Sequence, residues 1–213
     1  MSKKKNLFIA FEGIDGSGKS TQVRLLSEYL TSIGHNVCTT AEPTDSPIGR
    51  MIRDIFNHRM EGDQRVIAAL FAADRLHHLL HSQDGILKKL DDGYTVITDR
   101  YYFSSYAYHS VHNIDMEWVI QANSMSANLL RPDLNIYIDI SPEVSMERLR
   151  KDRDTLEMYE TLQNQQKVYE HYQMAFERIG DVEKVFFTAG NRNSKAIAMD
   201  IQEEINAILQ DLK

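Results

Sequence analysis

The stretch Gly13-Ile14-Asp15-Gly16-Ser17-Gly18-Lys19-Ser20-Thr21 fits the pattern G-x-x-x-x-G-K-[ST] at every fixed position. Just upstream, Leu7-Phe8-Ile9-Ala10-Phe11 is a short apolar run of the kind that forms a buried strand. Downstream, Val23, Leu25, Leu26, Tyr29 and Leu30 recur at helical spacing between Thr21 and Ile33, and Gly34 stops the helix. Strand, glycine loop and helix, in that order, are the setting in which the pattern has its meaning. Glycines let successive N–H groups turn inward, and the helix N-terminus adds partial positive charge, so the loop suits a nucleoside triphosphate. Lys19 is expected to reach the β- and γ-phosphates as a mobile point charge, and the Ser20 hydroxyl to ligate Mg2+.

Beyond the loop the chain alternates short apolar runs with helical patterns. Strands are expected at Val37–Thr40, Tyr94–Thr98, Leu134–Ile140 and Val185–Phe187. Helices are expected over Ile48–Phe56, Arg65–Lys89, Met116–Leu130 and Val144–Tyr172, the last with a polar interruption around Lys151–Asp154. Ile197, Ile201, Ile205, Ile208 and Leu212 stripe a final helix. Five apolar strands separated by helices predict an α/β fold of the P-loop NTPase kind: a five-stranded parallel sheet with helices on both faces. There is no internal repeat and no Pro/Gly/Ser linker, so residues 1–213 are expected to form a single domain.

Composition narrows the function classes. A hydrophobic content of 42% supports a sizeable core, and a formal charge of -7 argues against a nucleic-acid partner, which wants a basic face. The basic run Lys3-Lys4-Lys5 is read as a solvated terminus, and no stretch approaches the length of a membrane span. Cys38 is the only cysteine, so there is neither an intrachain disulfide nor a thiolate cluster, which fits a reducing, cytoplasmic setting.

In a parallel sheet, ligands bind beyond the carboxyl ends of the strands. The residues there are Glu12 to Lys19, Glu42-Pro43, Asp99-Arg100, Ser141-Pro142 and Thr188 to Asn191. A carboxylate at the end of a central strand commonly anchors Mg2+ and its water shell in phosphate-loop proteins, and Asp99 fits that place. Asp also caps turns readily, which is the plainer use of the same residue.

Ile97-Thr98-Asp99-Arg100-Tyr101-Tyr102-Phe103-Ser104-Ser105-Tyr106-Ala107-Tyr108 closely resembles the signature of the thymidylate kinases. Phe11-Glu12-Gly13, Glu42-Pro43, Phe71-Ala72-Ala73-Asp74-Arg75 and Arg131-Pro132-Asp133-Leu134 match the same family in order and over nearly the whole chain. The resemblance implies transfer of the γ-phosphoryl of ATP to dTMP, with Mg2+ as cofactor and a homodimer as the assembly. By matching position, Phe71 would stack on the thymine, Arg75 would hydrogen-bond its edge, and Arg53 and Arg100 would hold the acceptor phosphate. Ser104 and Ser105 would lie in the acceptor site, Tyr108 would crowd the ribose 2′ position, and Asp15 would sit near the sugar 3′-hydroxyl and the transferring group. Glu42 and Asp99 would hold metal-bound water or substrate. Residue chemistry agrees: an arginine fork suits phosphate, and an aromatic face suits a pyrimidine, although Phe71 would serve equally in a core.

Gly16 follows Asp15, so the loop supplies no arginine to the transferring phosphate. A lid over about residues 148–160 is expected to do so, through Arg153 first, then Arg150 or Arg148. The same residues also suit a solvated helix face. Three positions depart from the family pattern: Ala41 where an arginine commonly stands, Thr44-Asp45 where a glycine pair commonly follows, and His109 at the end of the signature. Other readings stay open at this point: a kinase for another nucleoside monophosphate or a deoxynucleoside, and a non-catalytic nucleotide-binding module. A guanine-reading Asn-Lys-x-Asp segment, which a nucleotide switch would need, is absent.

Overall fold

The computed structural model describes residues 6–152 and 161–211. Five strands, β1 (Phe8–Glu12), β2 (Asn36–Ala41), β3 (Tyr94–Asp99), β4 (Leu134–Asp139) and β5 (Val185–Ala189), form one sheet in the order β2-β3-β1-β4-β5. Every pairing is parallel, with Phe11 opposite Asp99 on one side and Ile136 on the other. The α/β expectation is met, and strand ends differ from the sequence reading by one or two residues.

Side-chain alternation along the strands makes the two layers. Phe8 and Ala10 of β1 join Val96 and Tyr137 in one buried cluster, while Leu7, Ile9 and Phe11 join Ile97, Ile136 and Ile138 in the other. The second face is closed by α1 (Lys19–Ser32), through Val23, Leu26 and Leu30, and by α10 (Ser194–Asp211), through Ile197, Ile201 and Ile205. Those residues repeat every three or four positions, so each helix offers one apolar stripe to a strand surface buried on both sides. The first face is closed by α5 (Tyr102–Ser110) and α9 (Leu162–Ile179), whose Tyr106, Tyr172 and Phe176 pack into an aromatic layer.

Two helical expectations are corrected, and one helix appears where the sequence reading gave none. The helix read over Arg65–Lys89 is two, α3 (Gln64–Leu80) and α4 (Ile86–Asp91). His81 turns extended to cap α3, and the chain passes so close to itself that a Cβ on Gly85 would lie 2.4 Å from the His81 carbonyl oxygen. Only glycine fits that approach, and the apolar pattern does not register it. The helix read over Met116–Leu130 divides at Asn123 into α6 (Met116–Ala122) and α7 (Ser124–Leu129). The segment Tyr102–Ser110, read only as a signature, is a helix in which all nine residues are buried, so it has no polar stripe to announce it.

The remaining helices are α2 (Pro47–Phe56), capped by the Ser46 hydroxyl on Gly49 N, and α8 (Pro142–Asp152). A short 3-10 turn, Gly180–Val182, leads into β5. Arg153 and the rest of the expected lid to residue 160 lie outside the described residues, as do Lys3-Lys4-Lys5 and Leu212. No described helix is long and apolar enough to cross a membrane.

Candidate active site

The phosphate loop joins β1 to α1. Its glycines carry positive φ, +139° at Gly13, +71° at Gly16 and +99° at Gly18, the left-handed region that side chains with a Cβ rarely enter. At Gly13 space is short too, since a Cβ would lie 2.8 Å from the Ile138 carbonyl oxygen of β4. Lys19 folds back over the loop and donates from Nζ to the carbonyls of Gly13 (3.0 Å) and Ile14 (2.9 Å). Burial, reinforced by the Arg100 cation and opposed by Asp99, Asp15 and Glu12, pushes the Lys19 ammonium down to about 8. Its charge is held by two neutral carbonyls, weaker partners than an anion would be.

Beneath the loop, Glu12 is fully buried. Its carboxylate accepts from Tyr101 N (2.9 Å), the Ser104 hydroxyl (2.6 Å) and the Tyr172 hydroxyl (3.0 Å), and burial still pushes it up to about 7. Tyr172 also accepts from Gly13 N at 3.3 Å, so a single carboxylate ties the start of the loop to α5 and α9.

Arg100, just past β3, has φ +76°, an uncommon conformation for a residue with a side chain. Its N–H to the Phe11 carbonyl (2.9 Å) and the Thr98 hydroxyl on its own carbonyl (2.9 Å) hold it there. Such a conformation costs about 1–3 kcal/mol and persists where surrounding bonds impose it. It aims the guanidinium back across the loop, where it ion-pairs with Asp15 and meets Ser104 Oγ (3.0 Å) and the Tyr108 hydroxyl (3.2 Å). Asp15 also accepts from Tyr108 (2.8 Å) and Gln165 (3.3 Å). Burial raises the Asp15 carboxyl, but Arg100, Lys19 and these two hydrogen bonds outweigh it and leave the group below the usual carboxylate range.

Two cavities open from this centre. The first, about 550 Å³, is lined by the loop from Asp15 to Gln22 and by residues past all five strands: Glu42, Asp99, Arg100, Arg148, Gly190 and Arg192 among them. Ser20 Oγ donates to Asp99 Oδ2 at 2.8 Å at its edge. Arg148 of α8 donates to the carbonyls of Gly16 (3.2 Å), Ser17 (3.4 Å) and Gly190 (2.8 Å), whereas Arg150 is exposed.

The second cavity, about 350 Å³, is lined by Asp15, Glu42, Arg53, Phe71, Arg75, Arg100, Ser104, Ser105 and Tyr108, with Ala41, Pro43, Phe56 and His109 completing it. All eight residues assigned to the acceptor from the sequence meet here. Their bonding differs from the expected roles at two positions. Glu42 is 4% exposed and spends its oxygens on Arg75 (2.6 Å) and His78 Nδ1 (3.0 Å). Arg75, 1% exposed, donates to Glu42, Ser105 Oγ (3.0 Å), Asn123 Oδ1 and the Tyr101 carbonyl (3.1 Å). Arg53 donates to the carbonyls of Pro43 (2.9 Å) and Thr44 (2.7 Å) and pairs with the exposed Asp45 (2.9 Å). The unusual Thr44 is accounted for: its N–H (2.7 Å) and hydroxyl (2.6 Å) both bond the fully buried Asp74.

Sequence reasoning names His109 only as a departure from the family signature, and it misses Arg192, Asn123, Tyr172 and Phe56. Arg192 lies one residue past the strand-end segment that was singled out, so the strand-end rule extended by one position would find it. Asn123, at the junction of α6 and α7, and Tyr172, within α9, carry no local signal, since each reaches its partner across more than forty residues of chain.

Comparison with known proteins bears directly on this arrangement. Residues 11–201 match the family model described as "Thymidylate kinase". The chain is 36% identical over 211 residues to the "Probable thymidylate kinase" of Pyrococcus horikoshii, covering 97% of both chains. It is 34% identical over 214 residues to the "Thymidylate kinase" of Caldicellulosiruptor saccharolyticus, covering 98% of both. It is 38% identical over 209 residues to the "Thymidylate kinase" of a Sulfurihydrogenibium species, covering 97% of this chain and 96% of the relative.

Proposed function

The chain belongs to the thymidylate kinase family of ATP-dependent phosphotransferases, and from that premise we propose how its residues move the γ-phosphoryl of ATP onto dTMP. The observation that carries the proposal is that the two cavities share Asp15, Ala41, Glu42 and Arg100. A donor in the first and an acceptor in the second would meet over the Asp15 carboxylate and the Arg100 guanidinium, Glu42 being already paired with Arg75. Phosphoryl transfer asks a protein chiefly for positioning and for cations at the charge that develops on the transferring group.

In this reading Lys19 leaves the Gly13 and Ile14 carbonyls for the ATP phosphates. Arg100, held over the loop by Asp15, Ser104 and Tyr108, meets the acceptor phosphate and the transferring group. Asp15, kept ionised by Arg100 and Lys19, orients the acceptor sugar through its 3′-hydroxyl, and Tyr108 narrows the space on the 2′ side. Arg53 adds a second cation for the acceptor phosphate, with Ser104 and Ser105 on the same wall, and Phe71 offers its face to the base. Arg75 and Glu42 brace that wall as a buried pair. Ser20 and Asp99 are hard oxygen donors at the edge of the donor cavity, which fits Mg2+; once bound, the ion supplies charge neutralisation on the phosphate oxygens. We further propose a single kinase domain with a lid over about residues 148–160, in which Arg153, with Arg150 and Arg148, faces the transferring phosphate. A homodimer fits the exposed apolar residues Trp118, Met125 and Leu129 on α6 and α7, and we assign a cytoplasmic location.

The test is ADP release with Mg·ATP against dTMP, dUMP, UMP, CMP, AMP, GMP and thymidine. Strong preference for dTMP is the expected outcome. Turnover of thymidine in preference to every monophosphate would defeat the assignment of Arg53 and Arg100 to an acceptor phosphate.

A further inference from the structure

Beneath the phosphate loop three oxygens form a closed triangle. Glu12 Oε2 lies 2.6 Å from Ser104 Oγ and 3.0 Å from the Tyr172 hydroxyl, and those two hydroxyls lie 2.8 Å from each other. Each hydroxyl also accepts from outside the triangle: Ser104 Oγ from Arg100 (3.0 Å) and Tyr172 from Gly13 N (3.3 Å). The other carboxylate oxygen, Glu12 Oε1, accepts from Tyr101 N at 2.9 Å. A hydroxyl has one hydrogen to give. With Glu12 ionised, the triangle has three edges and two hydrogens, so one edge sets lone pairs against each other. With Oε2 protonated there are three hydrogens for three edges, and every oxygen both gives and receives. The site is shaped to hold a proton on the carboxyl.

We propose that Glu12 is a positioning residue for Arg100, holding it through the Ser104 hydroxyl while the acceptor cavity is empty and taking up a proton when Arg100 turns to the acceptor phosphate. This rests on the reading of Arg100 as a cation for that phosphate, and it adds a buried partner on the far side of the guanidinium.

The charges around the carboxyl point the same way. Burial pushes Glu12 up to about 7, opposed by the Ser104 hydroxyl, the Arg100 cation, Tyr101 N and the Tyr172 hydroxyl. Of these, Arg100 is the one a ligand can draw away, since it lines the acceptor cavity. The other groups that face Glu12 are settled. Arg75 of α3 is paired with Glu42, and Lys19 of α1 rests on the Gly13 and Ile14 carbonyls. Asp15 of the loop pairs with Arg100 itself. Tyr106 of α5, Tyr137 of β4 and Tyr172 of α9 are pushed up by burial and stay neutral. A phosphate that takes the Arg100 charge removes the cation favouring ionised Glu12 and adds negative charge nearby. Both changes favour the protonated carboxyl, and the triangle closes. Acceptor binding therefore draws in one proton from solvent, and affinity falls as pH rises through the range in which the empty enzyme's Glu12 is ionised.

The experiment counts protons taken up on dTMP binding, by titration calorimetry at pH 7 in PIPES and in imidazole, whose ionisation heats differ. Wild type, Glu12→Gln and Tyr172→Phe are compared, with melting temperatures. A carboxyl at about 7 is half ionised at pH 7, so the wild type should take up about half a proton more than Glu12→Gln. With ATP saturating, KM for dTMP should rise about fivefold from pH 7 to pH 8 in the wild type and less than about twofold in Glu12→Gln. A purely structural Glu12 would move neither the proton count nor the pH profile. A folded Glu12→Gln enzyme that binds dTMP with the wild-type proton count overturns the proposal. If Glu12→Gln does not fold, Tyr172→Phe decides: losing a hydroxyl that favours the ionised form should leave Glu12 protonated beforehand and reduce the uptake at pH 7, and an unchanged count overturns the proposal. A wild type that does not bind dTMP would remove the functional reading and this inference with it, whereas binding without the proton difference removes this inference alone.

Discussion

The donor and acceptor cavities share a centre and are built in opposite ways. The donor side is made chiefly from one consecutive run, Asp15 to Gln22, with one long cation folded back and resting on carbonyls it can leave. The acceptor side is made from side chains on α2, α3, α5 and the β2–α2 connection, held by a buried ion network that the ligand does not supply. The first invests in charge that is free to move. The second invests in charge that is fixed before any ligand arrives. Removing a residue from the donor side should therefore cost rate, and removing one from the acceptor brace should cost stability.

Lys19→Met gives the largest expected effect on that contrast. The methionine keeps the apolar stem and discards a charge that burial already disfavours. Loss of a cation at the transferring group is expected to lower kcat by roughly 10²- to 10³-fold. The melting temperature should stay close to wild type. A large loss of stability in this variant would break the comparison.

Glu42→Gln is expected to show the reverse. It leaves the Arg75 cation buried with a neutral partner, and breaking a buried pair from one side costs about 3–5 kcal/mol. At about 2–4 °C per kcal/mol for a chain of this size, thermal unfolding should begin about 6–20 °C lower. Unchanged melting with a collapse of kcat would move Glu42 from the brace to the chemistry.

The smallest effect sharpens the comparison through pH. A lysine pushed down to about 8 keeps its charge below that pH and sheds it above. With free enzyme, kcat/KM for ATP should be level below about pH 8 and fall as pH rises further. Bound phosphates stabilise the ammonium, so the fall in kcat should come at higher pH. Parallel profiles for both parameters would show that Lys19 stays on the loop carbonyls when nucleotide binds.

The two regions also differ in how far the chain's one-dimensional order reveals them. Gly13 to Thr21 could be read directly, as could the strand before it and the helix after it. The eight acceptor residues came from family resemblance, and they do converge on one cavity. Their bonding did not come with them. Nothing around Glu42 in sequence says that Arg75 and His78 will take its oxygens, and nothing around Arg75 points to Asn123, forty-eight residues on. The break at Gly85 escaped for a similar reason, since a close approach of the chain to His81 leaves the apolar spacing intact.

By itself the sequence determined the parallel α/β fold, the phosphate loop and the kind of chemistry. Strand periodicity, helix stripes and a run of inward-turned N–H groups are local properties, each contained in a window of consecutive residues. Tertiary structure decided which charged groups are taken by the protein itself: Arg75 and Glu42 neutralise each other in the interior, and Arg100 is turned back over the loop onto Asp15. The reason is desolvation. A charge or polar atom taken from water must find a partner among whatever side chains the fold brings near, and those neighbours come from helices and strands far apart in the chain.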